Sequence, residues 1–208
     1  MDYNEAKQLC YKYSVKNWFF NDWDGSIDVY GDVNLQTFQG RQLPLKFNWV
    51  RGNFNIWETR LTTLDGAPCI IDGDFNCYDN ELTSLYRGPQ VVKGDYNIRG
   101  TILKNLEYIA PIIGRDLIFD DSLCSTYSAN EDLEVGGVVR FSQYNNTYSM
   151  TITHRYNQCC LRPEIVMNLR HIDLILKYQR YFSVWNDDLT FNVENFNELI
   201  FEIEDGLL

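Results

Sequence analysis

Apolar positions recur along this chain with a step of 21 residues. Val33, Phe54, Phe75, Tyr96 and Leu117 form one series, and Leu35, Ile56, Cys77, Ile98 and Phe119 a second. Leu43, Leu64, Leu85 and Leu106 make a third, and Val50, Ile71, Val92 and Ile113 a fourth. Gly31, Gly52, Gly73 and Gly94 keep the same step. Series that stay in phase over four or five copies define a solenoid repeat. Within one copy Phe75 and Cys77 alternate with Asp74, Asn76 and Tyr78, so a short strand turns one side inward. Leu82-Thr83-Ser84-Leu85 then bends the chain and sends both leucines into the same interior. Pro68 and Pro89 mark a return limb, read as irregular backbone that needs no amide donor. Stacked copies therefore give one parallel ladder of short strands along one side.

Leu117-Ile118-Phe119 is a fifth strand in register, although its glycine, Gly114, comes one residue early. Gly137-Val138-Val139-Arg140-Phe141 is a candidate sixth, after an irregular insert from Asp120 to Glu134. Because the end of a stack is a bare apolar slab, caps are required. Asn4 to Tyr13 predicts a helix with Ala6, Leu9, Cys10 and Tyr13 on one side, followed by Trp18, Phe19, Phe20 and Trp23 lying over the first coil. Asp24-Gly25 leads into an alternating strand from Ser26 to Tyr30. Pro163 to Trp185 predicts one helix with Ile165, Leu169, Ile172 and Leu176 on a face. Asn192 to Glu204 predicts another, with Val193, Phe196, Ile200 and Ile203 inward and Glu194, Glu198 and Glu202 in an outward stripe. The expected fold is an α+β solenoid, a leucine-rich-repeat-like stack of about five coils with helical caps. It divides into a cap and lead-in strand (1–30), the solenoid (31–143) and a C-terminal helical cap or subdomain (144–208).

With these motifs in view, the chain resembles leucine-rich-repeat-like proteins encoded largely by tailed bacteriophages, whose copies read approximately G-D-F-x-C-x-x-N-x-L-T-S-L-x-G-A-P. The best copy runs from Gly73-Asp74-Phe75-Asn76-Cys77 to Asn80-Glu81-Leu82-Thr83-Ser84-Leu85, and the preceding one ends Leu64-Asp65-Gly66-Ala67-Pro68. The resemblance covers about residues 17 to 119. The corner asparagine is kept as Asn80, with Thr59 and Thr101 in neighbouring copies, so an interrupted corner ladder is expected. The resemblance implies a phage origin and a binding role, with a host protein, such as a defence effector, as the inhibited partner. It carries no catalytic residue.

Composition narrows the function further. The chain has 29 acidic and 18 basic side chains, a net charge of −11. That argues against direct binding of nucleic acid and favours a basic partner surface. No apolar stretch reaches the roughly 18 to 20 residues that span a bilayer, and the start lacks the basic and apolar run of a secretory leader. The expected location is the cytoplasm, that of the host cell for a phage protein. Cys10, Cys69, Cys77, Cys124, Cys159 and Cys160 show no metal-clamp spacing and read as reduced thiols.

Outward strand positions also form columns. Asn34, Asn55, Asn76 and Asn97 are expected to stack amide to amide. Asp32, Asn53, Asp74, Asp95 and Asp116 are expected to accept backbone amides at the glycine bends, or to form an acidic stripe. A row of single carboxylates makes no calcium cage. The varied column Gln36, Trp57, Tyr78, Arg99 and Asp120 holds the preferred contact residues, Trp57, Tyr78 and Arg99, since aromatics and Arg dominate binding hot spots. With Asp74, Asp95, Asp116, Asp120, Glu194, Glu198 and Glu202 they form the candidate partner-binding set. His154, His171, Asp120 and Asp121 lie in no recognisable catalytic frame, and neither a cofactor nor a metal is expected. A non-catalytic protein-binding module is the favoured reading, and self-association is compatible with it. An acidic nucleic-acid mimic and an enzyme of unrecognised type are the alternatives.

Overall fold

The computed structural model describes residues 1–120, 122–128, 133–142 and 161–207. Helix α1 (Tyr3–Lys12) starts where the Asp2 carboxylate accepts the Glu5 N–H at 2.9 Å. It buries Ala6 and Cys10, while Leu9 and Tyr13 pack partly against the core. Strand β1 (Trp18–Asn21) then pairs antiparallel with β2 (Ser26–Val29). This hairpin corrects the sequence expectation for the four aromatics. Period-2 alternation turns Trp18 and Phe20 to the core, whereas Phe19 is 62% and Trp23 81% exposed.

Beyond the hairpin the chain winds in coils, each contributing two short strands at a corner. The first set is β3 (Val33–Asn34), β5 (Phe54–Asn55), β7 (Phe75–Asn76), β9 (Tyr96–Asn97), β11 (Leu117–Asp120) and β13 (Val139–Ser142). These pair in parallel as a six-stranded sheet. The second set is β4 (Phe47–Val50), β6 (Ile70–Ile71), β8 (Val91–Val92), β10 (Ile112–Ile113) and β12 (Glu134–Val135). With β1 and β2 it makes a seven-stranded sheet, parallel except for the β1–β2 pair. The return limb is therefore a second ladder rather than irregular backbone. Paired Ile and Val residues suit a pleated, half-buried surface, and Pro68 and Pro89 sit just before the strands, where no ladder donor is lost. The sixth strand exists, one coil on from β11 with a step of 22.

The register stacks like on like. Phe54 pairs with Phe75, and Phe75 with Tyr96. Their ring centroids are 6.2 Å and 4.8 Å apart, and all three are fully buried. Leu61, Leu82 and Leu103, with Leu64, Leu85 and Leu106, fill the opposite limb of the same core. Each such side chain contributes about 1.5–3 kcal/mol by leaving water. At the strand-to-turn corner the buried Asn80 accepts the Leu61 N–H (2.9 Å) and the Thr59 hydroxyl (3.0 Å), and its amide donates to the Ile56 and Cys77 carbonyls. Thr59 and Thr101 each donate to a carbonyl of their own coil, Ile56 and Ile98, and the polar corner ladder joins Thr59 to Asn80.

The C-terminal part closes the far end. The predicted single helix is broken into α2 (Pro163–Met167), a 3-10 turn (Leu169–His171) and α3 (Ile172–Tyr178). Asn168 makes the break: its φ/ψ of −114/22 leaves the helical basin and its side-chain amide donates to the Glu164 carbonyl at 2.9 Å. Asn competes with helical backbone bonding in just this way. Helix α4 (Val193–Asp205) is capped by Asn192 and ends on the left-handed Gly206. Its buried face is Phe196, Leu199 and Ile203, with Ile200 partly covered; Val193, expected inward, is exposed. Gln179 ties this part to the solenoid, donating to the Thr126 carbonyl (2.8 Å) and accepting from the Thr126 hydroxyl (2.9 Å). No helix among the described residues is long and apolar enough to cross a membrane. Asp121, His154, Cys159, Cys160 and the expected boundary at 143/144 lie outside the described residues.

Candidate functional site

The aspartate column is a hydrogen-bonded rail. Asp32 Oδ1 accepts the Asn53 N–H at 2.7 Å, Asn53 Oδ1 that of Asp74 at 2.8 Å, and Asp74 Oδ1 that of Asp95 at 2.9 Å. Asp95 and Asp116 continue the rail to Asp116 N–H (3.2 Å) and Val138 N–H (3.0 Å). Each oxygen thus satisfies a donor one coil away. Arg115 lies 3.3 Å from Asp95 and 3.7 Å from Asp74, and Arg140 pairs with Asp116. The N–H of Val138 and the Arg140 guanidinium hold the Asp116 carboxyl below the usual carboxylate range.

The asparagine column, expected to stack amide to amide, makes no amide-to-amide hydrogen bond between its members among the described residues. Asn34, Asn76 and Asn97 each turn back to accept the N–H two residues on in their own coil, at 3.1, 3.2 and 3.3 Å. Asx geometry at the end of a strand outcompetes the inter-coil contact because both groups are already adjacent in sequence.

In the third column Trp57, Tyr78 and Arg99 are half-buried and share the corner where the six-stranded sheet ends. The Arg99 guanidinium stands 5.5 Å from the Tyr78 ring centroid, and its Nε donates to Asn97. Asp120 is corrected: it is 1% exposed, accepting the Gly100 N–H at 2.8 Å and the Ser122 N–H at 3.1 Å. A buried carboxylate spent on two amides and the Ser122 hydroxyl offers nothing to a partner. Burial, with Glu58 and Asp120 nearby, raises the neighbouring Asp79 carboxyl above its ordinary range. Glu194, Glu198 and Glu202 are exposed on α4, which carries no basic residue.

Sequence reasoning missed the outer face of the seven-stranded sheet. The register places Phe19, Asp28, Trp49, Ile70, Val91, Ile112 and Glu134 in one row. Beside it the Arg51 guanidinium stacks 4.1 Å from the Trp49 ring centroid and 4.2 Å from that of Tyr30, which in turn meets Phe19 at 5.1 Å. The signal was present in the step of 21 from Asp28 to Ile112, but a limb read as irregular gives no parity to aim it. Tyr86 and Tyr108, exposed with ring centroids 5.2 Å apart, were also missed; their spacing of 22 falls off the columns.

Of the thiols, Cys10 and Cys77 are buried and Cys69 is exposed. Burial pushes the Cys10 thiol up to about 11 and raises Cys77 further. Among the described residues no cluster of His, Cys, Asp or Glu has the make-up of a metal site. His171 accepts from Arg170 Nε at 3.0 Å on the surface of the C-terminal part. The chain matches no protein-family model, no curated protein and no solved structure.

Proposed function

We propose that this protein is a non-catalytic protein-binding module, encoded by a phage, that binds and inhibits a host protein. The observation that carries the reading is the fixed spacing of contact-type side chains. Two ladders hold Trp57, Tyr78 and Arg99 in one row at the sheet corner, on a frame whose polar groups are already tied up between coils. Rigid presentation of aromatic and Arg side chains is how interfaces concentrate binding energy. The resemblance of the repeat to the phage proteins supports a host target, and the net charge of −11 supports solubility at high copy number. The nucleic-acid-mimic alternative is less favoured, because the strand-face carboxylates are engaged by backbone amides, Arg115 and Arg140.

The test is capture of a stoichiometric partner from bacterial lysate by the wild-type chain, compared with the Trp57→Ala/Tyr78→Ala double variant. Loss of that partner in the folded double variant is expected. Full retention removes the corner row from the interface, and competition by duplex DNA that vanishes at high salt would favour the mimic.

A further inference from the structure

We propose that β1 is the contact edge of a two-fold homodimer, in which two copies of the chain pair antiparallel and join their seven-stranded sheets. Strand β1 ends its sheet, with β2 on one side only. The Tyr30 N–H donates to the Asn17 carbonyl at 2.8 Å. Alternation along an antiparallel pair then directs the backbone of Phe19 and Asn21 to β2, and turns the N–H and C=O of Trp18 and Phe20 the other way. The far edge of β2 agrees. Ile27 and Val29, opposite Phe20 and Trp18, use their N–H and C=O on Lys46 and Arg51 of the next coil. Helix α1 packs on the inward face of β1, where the Tyr3 ring meets those of Trp18 and Phe20. Among the described residues no backbone group pairs with the outward edge.

Natural edge strands are blunted by charge, proline, a bulge or brevity. At the other sheet ends β3 and β12 are two residues long, and β13 carries Arg140. β1 has no charge, no proline and an unbroken register with β2. It also shows Phe19 to solvent, with Trp23 and Tyr30 close by. Charge names a second copy as the occupant. Lys16 lies just before the strand and Asp22 just after it, both exposed and without an ion pair among the described residues. The neighbouring acids are already engaged, Asp24 by Lys46 and Asp28 by the amides of Asn21 and Asn48. The register that uses both outward residues pairs Trp18 with Phe20 of the second copy and sets Phe19 against Phe19 on the axis. It also carries Lys16 of each copy to the Asp22 end of the other, so the edge is its own complement in charge. The Tyr30 ring, 5.1 Å from that of Phe19, extends the aromatic contact on both sides of the axis.

Sedimentation equilibrium of the full chain, from about 1 to about 300 μM, is expected to show a reversible monomer–dimer equilibrium. Phe19→Lys places like charges face to face across the axis while sparing the core, and should weaken association at least about tenfold. Lys16→Asp and Asp22→Lys should each weaken it about threefold or more. An equimolar mixture of those two chains should recover it, because each then meets the opposite charge at both ends. Circular dichroism confirms that each exposed-site variant is folded. A monomer over the whole range, a dimer unmoved by Phe19→Lys, or a mixture that fails to recover would overturn the proposal. So would a chain that is monomeric alone but loses its captured partner through Phe19→Lys, since another protein would then own the edge. The Trp57→Ala/Tyr78→Ala variant should dimerise like the wild type, so this inference and the corner-row reading fail separately.

Discussion

Asp74 places its carboxylate Oδ1 where a side chain on Gly94 would have to stand, and from there accepts the Asp95 N–H at 2.9 Å. The Gly-Asp pair of the repeat is thereby one device. The glycine clears space so that the preceding coil's carboxylate can reach the next coil's amide. Asp32 with Gly52, Asn53 with Gly73 and Asp116 with Gly137 repeat it. Where Arg115 replaces the glycine, the rung from Asp95 to Asp116 is the longest between aspartates, at 3.2 Å.

Gly94→Ala should therefore cost about 2 kcal/mol or more, because backbone of Gly73 as well as Asp74 blocks the new methyl. Asp74→Ala should cost about 1–2 kcal/mol for the lost charge-assisted bond. Asp74→Asn should stay within about 0.5 kcal/mol, since Asn53 already serves the same rung. Denaturant midpoints of the three variants check the order; an Asp74→Asn loss as large as that of Asp74→Ala would show that charge, and not the acceptor oxygen, matters.

Tyr96 occupies a phenylalanine position of the core column, and its hydroxyl is buried with no partner among the described residues. Burial raises its pKa well above the ordinary tyrosine value. Tyr96→Phe should leave stability unchanged or raise it by about 1 kcal/mol. A loss in thermal unfolding would reveal an acceptor for the hydroxyl.

The Asp79 carboxyl, raised by burial and by Glu58 and Asp120, is destabilised when charged. Its folded pKa lies above the unfolded value of roughly 3.9. The penalty is therefore present at neutral pH, and falls away as pH drops through the folded pKa and below the unfolded one. Asp79→Asn should be more stable than wild type at pH 7, with the difference shrinking towards pH 3.5 or so. A difference that is flat with pH would assign the gain to the backbone alone, since Asp79 has φ 53 and Asn tolerates that region.

How much of this was legible in the sequence follows from which residues carry periodic signals. Phe54, Phe75 and Tyr96, Leu64 and Leu85, and the rail of Asp74 and Asp95 all repeat at the coil step, so their rows could be laid out before any coordinates. Ile70 and Val91 repeat too, but two-residue strands leave too little alternation to reveal a ladder. Asp120 kept its column yet left its surface, because its carboxylate turns in to accept the Gly100 and Ser122 N–H groups. The break at Asn168 rests on a local bond to the Glu164 carbonyl that a helical apolar pattern overrides on paper, whereas the pairing of Gln179 with Thr126 joins residues distant in sequence and has no local signature. At the candidate site the Trp57, Tyr78 and Arg99 row was readable from parity; the Tyr30, Arg51 and Trp49 cluster needed the parallel pairing of β2 with β4.

Deleting one whole coil tests the stacking most directly. Removing Gly73 to Lys93 joins Asp72 to Gly94 and shifts every later row by one rung without changing its face. The expected product keeps the far-UV circular dichroism of the parent and melts in one cooperative transition at a lower temperature. Removing only Gly73 to Leu82 leaves about half a coil, which cannot place strands on both ladders, and that chain should not fold. Equal disruption by the two deletions, or equal tolerance of both, would contradict a structure built from in-register coils.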